Sequence, residues 1–254
     1  EMCIRDSYVP NGVNFVKDYM VSNKVLEETN NNYTVIAVID PLDDTSFSIF
    51  IQGLPTGSYG GTNHWFQAWA NSMGGDEYPP SGGGFNNSDI YTSIQNQNQI
   101  FSVNRDGDNT QIATYHNGKQ LFRDAYNETY NGDMGLSTII GTRISSGDHA
   151  NNSVNLVGVI REMIVFNSPL TDQEISSIHY YLSKKWGMEA SVDSDGDGIV
   201  DATDELPLSI GLVDFSDSVD AQIGAASGLD SIEANLSLWL DATNIDALAN
   251  ATLS

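Results

Sequence analysis

The chain is cut into short apolar runs, each closed by a turn residue, and this rhythm narrows the folds open to it. Thr34–Ile39 ends at Pro41, Phe47–Ile51 at Gly53, and His64–Trp69 near a pair of glycines. Gln99–Val103 meets Asp106-Gly107, and Gln111–Tyr115 turns at Asn117-Gly118 into Gln120–Phe122; Leu136–Ile140 and Val157–Phe166 complete the series. Runs of this length and spacing are strands, and the Asn-Gly pair supplies the positive φ angles of a tight hairpin. With no long helix between them, the runs predict an all-β, antiparallel two-sheet sandwich. One helix follows. Thr171 and Glu174 have capping-box spacing, Ile175, Ile178, Leu182 and Trp186 recur on one helical face, and Gly187 can close the last turn. The apolar stripe is expected to cover one edge or end of the sandwich.

Beyond the helix lies the densest chemistry. Asp193-Ser-Asp195-Gly-Asp197-Gly198-Ile199-Val-Asp201-Ala-Thr-Asp204 places carboxylates at positions 1, 3, 5, 9 and 12 of a twelve-residue loop. Gly198 stands at position 6, where a sharp turn is needed, and the Ile199 carbonyl at position 7 can add an oxygen. This set suits a hard cation, calcium (Ca2+). Asp204 occupies the place where an EF-hand carries a longer, bidentate Glu, so a helix-loop-helix sensor is not expected. The plainer alternative is an acidic, solvated linker.

Charge and cysteine usage exclude several function classes. Against 34 acidic residues stand 10 basic ones, a net charge of −24 that repels nucleic acid and anionic lipid. Hydrophobic residues still make up 40% of the chain, so the acidity does not signal disorder. Residues 1–7, EMCIRDS, resemble the translation of a transposase mosaic-end adapter and are expected to be an assembly artefact outside the fold. They hold Cys3, the single cysteine, so no disulfide, zinc or thiol-nucleophile reading remains. No apolar run approaches the roughly 20 residues that span a bilayer.

Several segments together carry a family resemblance. Tyr115-His-Asn117-Gly118-Lys, the run Gly158–Phe166, Asn167-Ser-Pro-Leu170-Thr-Asp-Gln-Glu174-Ile and Tyr181-Leu-Ser-Lys-Lys-Trp186-Gly187 resemble the carboxyl half of a laminin G-like, concanavalin A-like jelly roll. The acidic loop continued by Glu205-Leu206-Pro207 resembles a thrombospondin type 3 repeat. The resemblance implies a jelly-roll sandwich that recognises glycans or extracellular protein ligands, often with calcium at one rim. The family's opening Leu-Trp-Leu-Asp-Ala segment is missing before Tyr8 and stands instead at Leu238–Ala242. The expected organisation is therefore a sandwich over 8–188, a calcium loop over 189–207, a linker over 208–234 and, over 235–254, the first strand of a second sandwich. Such a piece of a longer multidomain chain fits a secreted or surface-attached adhesion protein. Because the first sandwich lacks its own opening strand, Leu236–Leu240 is expected to fold back along the open edge at Val159–Phe166. A spacer of about 27 residues sets a closure cost of about 3 kcal/mol, which burial of three leucines at roughly 1.5–3 kcal/mol each exceeds.

Candidate ligand contacts are aromatic. Trp65 and Trp69 share one face of their strand, and Tyr78, Phe85 and Tyr91 sit in or beside a Gly- and Asn-rich stretch, 72–92, read as a long loop. Trp65 and Trp69 can equally be core residues, and the stretch a plain connection. A polysaccharide-cleaving hydrolase is the alternative reading. It would need paired carboxylates on one strand, whereas Glu162 stands alone among apolar neighbours, Asp43-Asp44 precedes a strand and Asp76-Glu77 lies in the 72–92 stretch. The expectation is a non-catalytic module. Asp106 and Asp108 read either as a rim calcium site or as a polar hairpin turn, and His64, His116, His149 and His179 are too scattered for a metal cluster.

Overall fold

The computed structural model describes residues 8–9, 12–16, 20–23, 32–42, 47–53, 63–69, 72–77, 85–86, 97–125, 137–141, 156–209 and 236–241. In chain order the strands are β1 (Tyr8–Val9), β2 (Gly12–Val16), β3 (Met20–Asn23), β4 (Tyr33–Pro41), β5 (Phe47–Gly53), β6 (Asn63–Trp69) and β7 (Ser72–Glu77). They continue as β8 (Phe85–Asn86), β9 (Gln99–Asp106), β10 (Gln111–His116), β11 (Lys119–Ala125), β12 (Ser137–Ile140) and β13 (Val157–Phe166). Helix α1 (Asp172–Trp186) and strand β14 (Leu236–Asp241) follow. The larger antiparallel sheet runs β1-β2-β13-β4-β9-β10-β11, with β14 also paired to β13; the smaller runs β3-β12-β5-β6-β7-β8. The protein is thus a two-sheet antiparallel β-sandwich with, among the described residues, one helix after its last long strand.

At the centre of the larger sheet, along β13, β4 and β9, both faces are buried. Val35, Ala37 and Ile39 of β4 join Phe101, Val103, Ile160, Met163 and Val165 in a core that also takes Met20, Ile49 and Ile140 from the smaller sheet. The alternate residues Ile36 and Val38, with Ile100, Tyr115, Ile164 and Phe166, pack on Ile175, Ile178 and Leu182 of α1. The helix therefore covers the outer face of the larger sheet, not an edge or end of the sandwich. The unbroken apolar run of β4 carries the reason: a strand covered on both sides has no polar face. Each fully buried helix side chain contributes roughly 1.5–3 kcal/mol to this third layer.

The helix ends are built as the spacing predicts. The Thr171 hydroxyl accepts from the Glu174 amide at 3.3 Å, and the Glu174 carboxylate accepts from the Thr171 amide at 2.7 Å. Gly187, at φ 64°, closes the last turn. A bulge in β13 fixes the helix laterally. Ile160 pairs with Ile39, but Glu162 pairs with Val38, so the pleat shifts by one residue and Glu162 opposes a residue of the helix-covered face. There, fully buried, Glu162 accepts from the Trp186 indole at 2.7 Å and pairs with the Lys185 ammonium at 3.2 Å. The lone acid among apolar neighbours is a helix anchor.

Three further departures concern strands. Gly12–Val16 and Met20–Asn23 add pairing that the apolar pattern did not announce. The 72–92 stretch is not one loop: Ser72–Glu77 pairs with β6, and Phe85–Asn86 pairs with Gly74 and Gly75. Backbone pairing needs no side chain, so the sequence Ser-Met-Gly-Gly-Asp-Glu hid a strand. Finally, the edge of β13 is divided. Strand β2 pairs with Val157–Ile160, and β14 returns antiparallel to pair with Glu162–Phe166. The carboxyl-terminal segment folds back as expected, but it fills only the half of the edge that β2 leaves.

Candidate functional site

The acidic loop begins where α1 ends, and local bonds shape it. Asp193 accepts from the Gly196 and Gly198 amides, both at 2.9 Å, one with each oxygen. Asp195 accepts from the Asp197 amide at 3.2 Å, Asp197 from the Ile199 amide at 2.8 Å, and Asp204 from the Leu206 amide at 2.7 Å. Gly196 (φ 76°) and Gly198 (φ 99°) take the left-handed conformation that these turns require. As a result, carboxylate oxygens of Asp193, Asp195 and Asp197, one from each, lie within 4.8 Å of one another.

Two oxygens in this neighbourhood are buried with no hydrogen-bond partner: Oδ2 of Asp195 and Oδ2 of Asp204. Asp195 as a whole is only 9% exposed. Burial pushes its carboxyl up from the ordinary carboxylate range, and the charges of Asp197, Asp204 and Asp193 add to the rise against the backbone bond that lowers it. Buried acceptors without donors are costly, and so are crowded like charges. A hard cation taking carboxylate oxygens would relieve both. The donor set fits calcium on these grounds.

Asp201 is differently placed. Its Oδ1 accepts from the Ser194 amide at 2.8 Å, while Oδ2 accepts from the Ser194 hydroxyl at 2.8 Å and the Ser183 hydroxyl at 2.5 Å. Burial raises its pKa and these bonds oppose the rise. In this arrangement Asp201 ties the loop to α1. Sequence spacing alone gave no hint of it, because Ser183 lies eighteen residues upstream. Ile199 is 47% exposed, on the outside of the loop.

The loop is also seated on the sandwich. The Asp193 amide donates to the Asn117 carbonyl at 3.0 Å, and Asn117 is itself fixed to Ile100 of β9 by bonds of 2.8 and 2.9 Å. Gly118 lies against Asp193, so the Asn-Gly turn read as a hairpin is also a platform. Met188 and Val192 enter the core beneath α1. The loop and the sandwich are packed together.

Other candidates resolve as structure. Asp106 accepts from the Asn109 amide and side chain at 3.0 and 2.7 Å, and Asp108 from Asn32 at 2.8 Å, as a polar hairpin turn would have them. His179 meets the Ser102 hydroxyl at 2.9 Å, and His116 meets Gln99 at 2.9 Å; burial lowers both pKa values to about 3. Among the described residues, the potential metal group contains aspartates alone. Tyr78 and Tyr91 lie outside the described residues, as do the side chains of Trp65, Trp69 and Phe85, whose backbones belong to β6 and β8.

Comparison with solved structures shows what the sandwich is similar to. It is similar to the CBM40 of Ruminococcus gnavus IT-sialidase bound to α2,3-sialyllactose, with TM-score 0.52, 13% identity, and coverage of 65% of this chain and 94% of that one. It is also similar to the Streptococcus pneumoniae NanB sialidase (TM-score 0.54, 14% identity, 65% of this chain) and to the leech intramolecular trans-sialidase (0.53, 14%, 65%). The match takes in 26% and 27% of those two chains, about a quarter of each. At such identities the likeness is one of fold. No family model matches the chain, and no curated protein matches it in sequence.

Proposed function

We propose that the protein is a non-catalytic glycan-binding module whose acidic loop holds a structural calcium ion, serving extracellular or cell-surface recognition and adhesion. The observation that carries the glycan part is the shared sandwich with a CBM40 domain seen bound to a sialylated sugar, matched over nearly that domain's whole length. The calcium part rests on the partnerless buried oxygens of Asp195 and Asp204 beside Asp193 and Asp197. The laminin G-like and thrombospondin type 3-like resemblances point the same way, with the Ile199 carbonyl as a further ligand and Asp201 holding the loop to α1 through Ser183.

A second reading, an accessory module of a glycan-active enzyme, is favoured by the matched part being about a quarter of two sialidase chains. Glycan-array binding with and without a calcium chelator, followed by an assay for released sugar, separates a binding module, free-standing or accessory, from a chain that cleaves its ligand. Binding without release supports the module. Release of free sugar by this chain alone would overturn the non-catalytic assignment, and an array without signal would overturn glycan binding.

A further inference from the structure

A cleft opens on the helix-bearing face of the larger sheet, away from the acidic loop, between the β9–β10 and β11 strands and the turn that leads into α1. Its volume is about 330 Å³, and its walls include Asp106, Gln111, Arg123 and Asp172 beside Pro169 and Leu170. Ligand clefts run from roughly 300 to 1,000 Å³, so this one suits a terminal sugar residue better than an extended chain. Its polar groups are held in place. The Tyr115 hydroxyl donates to Asp172 Oδ1 at 2.8 Å, Arg123 donates to the Tyr115 oxygen at 2.7 Å and to Gln120 at 2.9 Å, and Arg123 also pairs with Asp172. Asn104 binds both the amide and the carbonyl of Leu170, fixing the floor. Among the described residues the Gln111 side-chain amide and Asp172 Oδ2 make no hydrogen bond, leaving a donor–acceptor pair and a carboxylate acceptor on the walls.

The sign of the charge selects the ligand. Among the described lining residues Arg123 is the one cation, and it is already paired with Asp172, while Asp106 adds a second carboxylate; Arg105, buried behind this wall, donates to the Gln111 backbone carbonyl. A carboxylated sugar would meet two carboxylates against one cation on the described lining, on a chain of charge −24. Uncharged hydroxyls, which can donate to carboxylates and to the Gln111 side-chain oxygen, meet no such repulsion. We propose that this cleft is a binding site for a neutral, hydroxyl-rich terminal sugar, in contrast to the sialylated ligand of the CBM40 relative. The proposal rests on the glycan-binding reading and deepens it.

The test uses the full chain, with calcium present, on an array of neutral oligosaccharides and their α2,3-sialylated counterparts. The wild type should favour the neutral members, and Gln111→Ala, an exposed substitution that leaves the fold intact, should weaken that binding about tenfold. Asp172→Asn, which keeps the shape, should weaken it similarly and narrow the preference against sialylated sugars. Neutral binding unchanged in both variants would overturn the cleft while leaving glycan binding intact. Preference for the sialylated members would overturn the charge argument, and binding to no glycan would remove the underlying reading and the cleft with it.

Discussion

Gly118 lies so close under Asp193 that a Cβ built on it would stand 1.8 Å from the Asp193 carbonyl oxygen. The hairpin turn and the first residue of the acidic loop therefore touch backbone to backbone. Ordering the loop with a cation would brace the β10–β11 hairpin from outside, and disturbing the hairpin would disturb the loop.

Gly118→Ala should accordingly cost stability twice. At φ 87° the left-handed conformation alone costs a residue with a side chain roughly 1–2 kcal/mol, and the clash with the Asp193 backbone adds to it. Denaturant unfolding in chelator should show a loss above that range, and calorimetry should show weakened calcium binding. A variant as stable as the wild type would mean that the loop is not seated there.

Asp195 and Asp201 should behave oppositely. Calcium is expected to bind at about 10⁻⁴–10⁻³ M, and at a hundred times the dissociation constant it would add about 2.7 kcal/mol of stability. Asp195→Ala should abolish that gain yet leave the chelated protein no less stable, since it removes a buried, repelled carboxylate. Asp201→Ala should cost about 1–3 kcal/mol even in chelator, because Ser194 loses its acceptor. The raised pKa of Asp195 carries a sign. Without metal its destabilisation is absent below the ordinary carboxylate range and grows as pH rises through its folded pKa, so calcium should stabilise most above that point. Calcium-dependent melting from pH 4 to 7.5 checks this, and an Asp195→Ala protein that still gains stability from calcium would place the ion elsewhere.

What the sequence made legible was local. Thr171, Glu174 and Gly187 announce the ends of α1 because capping chemistry is set by residues three or four apart, and Asn117-Gly118 announces its hairpin for the same reason. What it hid was set by contacts distant in the chain. The buried state of Ile36 as well as Val35 follows from a helix more than a hundred residues later, and the apolar run of β4 did not say which layer would cover which face. The acidic loop lay between these cases. Its aspartates and glycines were readable from spacing, whereas the diversion of Asp201 to Ser183 and the seating of Asp193 on Gly118 depend on folding.

His179 should dominate part of the acid response. It is fully buried against Ser102, and burial lowers its pKa from 6.5 to about 3. The unfolded chain takes up a proton near pH 6.5 that the folded one refuses until about pH 3, so the stability present above pH 6.5 falls as pH drops through that window. Between pH 6 and 4 the slope from this one group should be about 1.4 kcal/mol per pH unit. His179→Gln, which cannot titrate, should flatten the measured pH dependence by that amount. An unchanged slope would mean that His179 is protonated within the fold.

The divided edge of β13 makes the last case. An open strand presents unpaired amides to solvent and to other chains, and here β14 closes the half that β2 leaves, with Met163 opposite Leu240 and Val165 opposite Leu238. A chain ending at Ser209 keeps the sandwich, α1 and the acidic loop but loses this cover. Each backbone hydrogen bond contributes about 0.5–1.5 kcal/mol, so the β14-facing amides of Glu162–Phe166 should exchange with deuterium roughly tenfold faster. The amides of Val157–Ile160, which pair with β2, should keep their protection and serve as the internal control. Adding a peptide of residues 234–243 at high concentration should restore the slow exchange, because β-augmentation needs the strand and not its tether. Equal exchange in the long and short chains would show that β14 does not hold this edge in solution.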